Sequence, residues 1–132
     1  MTPATCKLLF TDMYKLNLTF DVLPKSLNRE LRSHRFLRSR TNKQWDWLVY
    51  HLVRNRLPPE PLQKARLKVV RRFYRTLDFD GLVGSLKPVV DALVTAKVIK
   101  DDSWNTLGAW EVSQEFRPKS EGPQLELWLW EP

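Results

Sequence analysis

The chain has 132 residues, enough for one domain with a core of its own and too few for two. Its 42% hydrophobic content and mixed charge exclude a disordered chain, and no apolar run comes near the roughly 18 residues of a membrane span. The net charge of +7 is uneven: residues 1–100 hold 20 Lys and Arg against 8 Asp and Glu, a balance of +12, whereas residues 101–132 hold 2 against 7, a balance of −5.

A basic body attracts polyanions, and nucleic acid is the commonest of them. A basic surface kept for solubility carries the same charge. The single cysteine, Cys6, permits no internal disulfide and fits a reducing compartment. The start, Met1-Thr2-Pro3-Ala4, lacks the charged-then-apolar layout of a signal peptide. The expectation is a soluble cytoplasmic protein with no membrane partner.

In chain order, residues 1–13 show no period and are expected to form a loose arm of a single domain spanning 1–132. Leu16, Leu18, Phe20 and Val22 alternate with Asn17, Thr19 and Asp21, which predicts a half-buried strand. Leu23 to Asn28 reads as a turn. A basic stretch follows, with Arg29, Arg32, His34, Arg35, Arg38, Arg40 and Lys43. Thr41 or Asn42 is the expected cap of a helix to about Asn55. Trp45, Leu48, Val49 and Leu52 give it an apolar stripe, and Leu57-Pro58-Pro59-Glu60-Pro61 ends it.

From Leu62 to Tyr74 the chain is strand-like, with a bulge or a strand end expected after Val70 where alternation breaks. Asp78 and Asp80 are expected on one side of the extended chain that follows. Ser85 is the expected cap of a helix to about Ala96, with Gly81 to Gly84 as a turn and Pro88 in the first helical turn; the alternative is a helix continuous from Leu82 that Pro88 kinks. Trp104 to Phe116 reads as one irregular strand and Arg117 to Pro123 as a turn. Gln124 to Trp130 alternates cleanly, with Leu125, Leu127 and Leu129 on one face and Glu126, Trp128 and Trp130 on the other. Those two tryptophans need cover from within the chain or from a second subunit. The sum is an α+β domain: a small mixed or antiparallel sheet with two main helices packed against it.

Chemistry concentrates in one segment. Five of the fifteen carboxylates fall between Asp78 and Asp102, and Arg71, Arg72 and Arg75 precede them. Crowded acids repel unless a cation holds them, and Mg²⁺ takes one or two carboxylates together with water and substrate phosphate. Asp78 and Asp80 supply a pair, and Asp101 or Asp102 a third ligand. Such an ion polarises a phosphoryl oxygen and makes hydroxide from bound water, while Lys87 is a candidate to offset transition-state charge. Each feature also has a plainer reading. Asp80 caps a turn, Lys87 and Asp91 form an i, i+4 surface pair, and Asp101-Asp102 is a solvated turn. Cys6, His34 and His51 are too few for a typical zinc site, no Gly-rich nucleotide loop occurs, and the six tryptophans are read chiefly as core.

At Leu77-Asp78-Phe79-Asp80-Gly81-Leu82, Leu86-Lys87-Pro88, Asp91-Ala92-Leu93 and Val98-Ile99-Lys100-Asp101-Asp102 the chain resembles the RusA family of Holliday junction resolvases, common in phages and prophages. Pro24, Ser26, Leu27 and Asn28 after the first strand add to the likeness. The resemblance implies a Mg²⁺-dependent homodimeric endodeoxyribonuclease, with Mn²⁺ as a substitute metal and no small-molecule cofactor. It would act in DNA recombination and repair in the cytoplasm of a bacterial or phage-infected cell. The family's metal-binding carboxylates map onto Asp78, Asp80 and Asp102 and its essential lysine onto Lys87, with Asp91 and Asp101 in support. Gly81 stands where the family often has Asn, Lys97 where many members have Gly, and the spacing from Asp80 to Lys87 is longer than in the shortest members. Arg29, Arg32, Arg35, Arg38, Arg40, Lys43, Arg71, Arg72 and Arg75 are the expected contacts to the phosphates of branched DNA. The rival expectations are a non-catalytic junction-binding module and a nuclease acting mainly on flaps or forks.

Overall fold

The computed structural model describes residues 13–24 and 35–132, the side chains of 35–42 excepted. The loose arm expected over 1–13 lies outside that range apart from Met13, as do Cys6, His34 and part of the turn after the first strand.

Strand β1 (Lys15–Phe20) buries Leu16, Leu18 and Phe20 and exposes Lys15, Asn17 and Thr19. The period of two in the sequence has become the two faces of a sheet. Helix α1 (Arg35–Val53) begins before the Thr41 or Asn42 cap expected from the sequence. No Gly or Pro interrupts it, and its early arginines are good helix formers. Trp45, Val49 and Val53 are buried one turn apart, and Leu52, expected in the stripe, is exposed. The Trp45 ring meets Phe20 edge-on with centroids 5.2 Å apart.

Strand β2 (Arg66–Phe73) is shorter than its strand-like run. Leu62 makes only an isolated parallel bridge to Ile99. No bulge follows Val70, because the ladder to the last strand is continuous from Arg66 to Arg72. The alternation breaks for a different reason: Val70 is buried on the outer face while Arg71 turns a charged side chain inward.

Two helices then share one junction residue. Helix α2 (Phe79–Ser85) ends and helix α3 (Lys87–Thr95) begins at Leu86, which caps both. Ser85 is therefore the end of α2 and not the cap of α3, and its Oγ donates to the Leu82 carbonyl at 2.8 Å. Gly81 to Gly84 is helical and not a turn. Pro88 sits in the first turn of α3, where its missing N–H has no helical partner to lose. Helix α3 packs against α1 and buries Pro88, Val89, Val90, Ala92 and Leu93. It closes with Lys97 N–H on Val94 O and Val98 N–H on Leu93 O, both 3.0 Å. This is the paired-bond helix stop that usually employs glycine. Here Lys97 takes φ 67° with a full side chain.

The stretch expected as one strand divides. Helix α4 (Trp104–Leu107) is a single turn, and strand β3 (Glu111–Phe116) follows it. A short 3-10 turn (Lys119–Glu121) leads to strand β4 (Gln124–Trp130). The sheet order is β1-β4-β2-β3. Strand β4 is antiparallel to β1 and β2, and β3 is parallel to β2. A parallel pair needs a long crossover, and α2, α3 and α4 form it. The fold is α+β, one mixed sheet with helices gathered on its apolar face. No described helix is long and apolar enough to cross a membrane.

A non-glycine residue in the left-handed region costs about 1–2 kcal/mol, partly offset by glycine's extra chain entropy. Lys97→Gly is expected to raise stability by up to about 1 kcal/mol, read as a higher urea midpoint at unchanged slope. A lower midpoint would show that Lys97 carries no strain.

Candidate active site

The segment leaving β2 is held by two side chains on the inner face of the sheet. Arg71, 7% exposed, donates from Nη1 to the Arg75 carbonyl at 2.7 Å and to Gln114 Oε1 at 3.3 Å. Gln114, its neighbour on β3, accepts from the Leu77 N–H and donates to the Leu77 carbonyl, both at 2.8 Å. One amide thus satisfies both backbone groups of Leu77, much as a strand neighbour would. Burial pushes the Arg71 guanidinium below its usual pKa. Its Nε is buried with no hydrogen-bond partner among the described residues.

Asp78 comes next and ends the extended run. It is the N-cap of α2, in extended conformation, and its Oδ1 accepts from the Gly81 N–H at 3.0 Å. A Cβ on Gly81 would stand 2.5 Å from that same oxygen. A larger residue at 81 would therefore push the Asp78 carboxylate out of its cap position. Asp80 lies in the first helical turn. The expectation that Asp78 and Asp80 point the same way along a strand is overturned: the helix starts between them, and helical residues turn about 100° each. Both acids are exposed, as is Phe79 between them at 69%.

The second acidic loop is organised by two different roles. Asp101 Oδ1 accepts from the Ser103 N–H at 3.0 Å, Ser103 Oγ at 2.6 Å and Thr106 Oγ1 at 2.7 Å. These bonds, the Ser103 hydroxyl first, lower its pKa to about 2. They also explain why the chain turns into α4 instead of continuing as a strand. Asp102 is left to Lys87, which is ion-paired with Asp102 Oδ2 and with Asp91 Oδ1, the latter at 3.2 Å. The Asp102 bond is the main reason the Lys87 pKa is raised. Asp46 on α1 enters the same neighbourhood, unnoticed in the sequence. Burial first, then the charge of Asp91, raises its pKa. Only the packing of α1 on α3 makes it a neighbour, so no local signal marks it.

The structure thus joins Lys87, Asp91 and Asp102, and separates Asp101 into a structural role. It does not gather Asp78, Asp80 and Asp102: among the described residues no three His, Cys, Asp or Glu stand together to hold a metal. The donors have the right chemistry for a hard cation, all carboxylate oxygen, but not the grouping. One reason is length: α2 has seven residues, about 10 Å at 1.5 Å each, between the Asp78 end and Lys87.

Two of the expected phosphate contacts are engaged within the protein. Arg71 is buried as described. Arg72 pairs with Glu115 and Glu126, each at 2.7 Å, which raises its pKa through those bonds. Both face partners that only the sheet brings near. Arg75 and Lys43 are exposed. Arg29 and Arg32 lie outside the described residues, as do the side chains of Arg35, Arg38 and Arg40. No protein-family model matches the chain, and no curated protein is significantly similar to it.

Gln114→Ala would strip both backbone groups of Leu77 of their partner. A loss of about 1–3 kcal/mol is expected in urea unfolding, and a loss below a few tenths would show that water replaces the amide. Asp101 gives a pH dependence. Its folded pKa of about 2 lies below the ordinary value near 4, so its contribution is present above pH ~4 and lost as pH falls through ~2. Asp101→Asn should be less stable than wild type at pH 6, with the gap closing by pH 2. A gap independent of pH would dissociate the effect from the carboxylate's charge.

Proposed function

We propose that the protein is a structure-selective endodeoxyribonuclease that cuts branched DNA, four-way junctions first among its substrates. The observation that carries the reading is the Lys87–Asp102 pair. The lysine and the acid that the family resemblance assigns to one active site are fifteen residues apart in sequence and bonded to each other in the fold. Lys87 is half-exposed and its ammonium is held charged by Asp102 and Asp91, a fit state for offsetting negative charge that builds on a phosphate. Asp78 keeps its Oδ2 outside the cap bond, and Gln114 fixes the backbone just before it.

A divalent cation belongs to this reading as a proposal. The resemblance assigns it to Asp78, Asp80 and Asp102, which the fold leaves ungrouped, and once held it would supply a polarised phosphoryl oxygen and an acidified water. Two opposed cuts need two sites, so a pair of copies on one junction, in a bacterial or phage-infected cytoplasm, is part of the same proposal.

A second reading, a junction-binding module without catalysis, is favoured by one observation: the three carboxylates are not grouped. A labelled synthetic four-way junction with Mg²⁺ or Mn²⁺ separates the two. Paired cuts by the wild type are expected, reduced at least about 100-fold in Asp80→Asn and in Lys87→Ala. Tight junction binding with no cutting would leave the second reading. Faster cutting of flaps or forks than of four-way junctions would move the substrate assignment, and equal cutting by wild type and Asp80→Asn would sink the active-site assignment.

A further inference from the structure

The outer face of the sheet takes no part in the site described above. Its register lays it out in rows. Lys15 on β1 stands beside Trp130 on β4 and Arg66 on β2, and the next row runs Asn17, Trp128, Lys68 and Glu111. Two adjacent rows therefore hold two half-buried indoles among three exposed cations. The Lys68 ammonium lies 5.4 Å from the centroid of the Trp128 ring. An open hollow of about 540 Å³ lies over Lys15, Asn17, Trp128 and Trp130, and strand residues alone line it.

The charge on this face is sorted. Its acids are Glu111, Glu115 and Glu126, and Arg72 takes up the last two. Glu111 remains, at the far edge of the second row. Lys15, Arg66 and Lys68 form no ion pair among the described residues. From Lys68 the surface continues across β3 into a second hollow of about 430 Å³, whose wall includes Trp110 and Phe79. Phe79 is the exposed ring between Asp78 and Asp80, and it lines the same hollow as Lys68.

Two occupants suit an aromatic sheet face: a second copy of the chain, or a ligand with flat rings of its own. A two-fold pairing sets a patch against itself, and here it would bring three unpaired cations against the same three, which is costly. A single strand of nucleic acid satisfies both components, since its bases stack on aromatic rings and its phosphates meet cations. A duplex has the phosphates but hides its base faces. We propose that the outer face of the sheet, centred on Trp128 and Trp130 and flanked by Lys15, Arg66 and Lys68, is a binding platform for single-stranded DNA. The choice of DNA rests on the function proposed above; the stacking platform does not.

The test is fluorescence anisotropy of a labelled dT oligonucleotide of about fifteen nucleotides, a length in the range one stacking platform covers, with tryptophan quenching followed in parallel. It is run on the full chain, wild type and Asp80→Asn, so that binding and cutting are read separately. Saturable binding with quenching is expected for both proteins. Trp128→Ala should weaken it about 10-fold, and Trp128→Phe, which keeps a ring and guards against misfolding, should stay near wild type. Lys15→Ala should weaken binding a few-fold and flatten the salt dependence by about 0.7 in log–log slope. The proposal is overturned by absence of binding at micromolar protein, or by binding indifferent to Trp128→Ala and Lys15→Ala. A dimer in light scattering that Trp128→Ala dissociates would overturn it too, giving the face to a second copy. Junction cutting without oligonucleotide binding would remove this inference and spare the proposed function; binding without cutting would do the reverse.

Discussion

Strand β4 hydrogen-bonds to β1 on one side and to β2 on the other, so the last strand of the chain joins the first to the middle. Its Leu125, Leu127 and Leu129 are almost wholly buried between those neighbours and the helices. Burial of each leucine contributes on the order of 2 kcal/mol, and a one-residue slip would turn all three to the other face together. The register of β4 therefore settles what every other element does. It aligns the inner leucines of β1 and β2 under α1 and α3. It sets Trp128 and Trp130 on the opposite face, and it positions Glu126 to receive Arg72.

The end of β2 shows how a buried charge organises a loop. An arginine on the inner face of a sheet is costly unless its donors are used. Arg71 uses Nη1 on the Arg75 carbonyl and on Gln114 while its Nε has no partner among the described residues, and Gln114 in turn holds Leu77. The chain thus reaches Asp78 already oriented for the cap that starts α2. Glycine at 81 leaves room for the carboxylate. Cap, glycine and amide clamp form one local device, and its product is an exposed acid on a fixed backbone.

The protein's +7 charge is not all available to a polyanion. Arg71 and Arg72 are engaged in the sheet, and Lys87 is shared by Asp91 and Asp102. Among the described residues the exposed cations without an acid partner include Lys15, Lys43, Arg66, Lys68 and Arg75. Three of them, Lys15, Arg66 and Lys68, lie on the sheet's outer face. Net charge alone does not say which surface carries unpaired cations; the pairings do.

Much of the fold was legible in the order of residues. The period of two in β1 and β4, the position of Pro88 in a first helical turn and the prolines after α1 are local signals, and each survived because local geometry and core burial agree. The readings that failed did so where one side chain outweighed the pattern. The Asp78 cap converted a supposed strand into a helix start, the Asp101 bonds made a helical turn of what read as strand, and Arg71 broke the alternation of β2 from inside. At the candidate site, the sequence by itself determined only which residues were candidates: Asp78, Asp80, Lys87, Asp91 and Asp102 stood out as a cluster. Only the tertiary structure decided their company. Asp101 went to Ser103 and Thr106, Asp102 to Lys87, and Asp46 came in from α1. Spacing along a chain specifies direction within one element. Contact between elements depends on how they pack, which no single segment encodes.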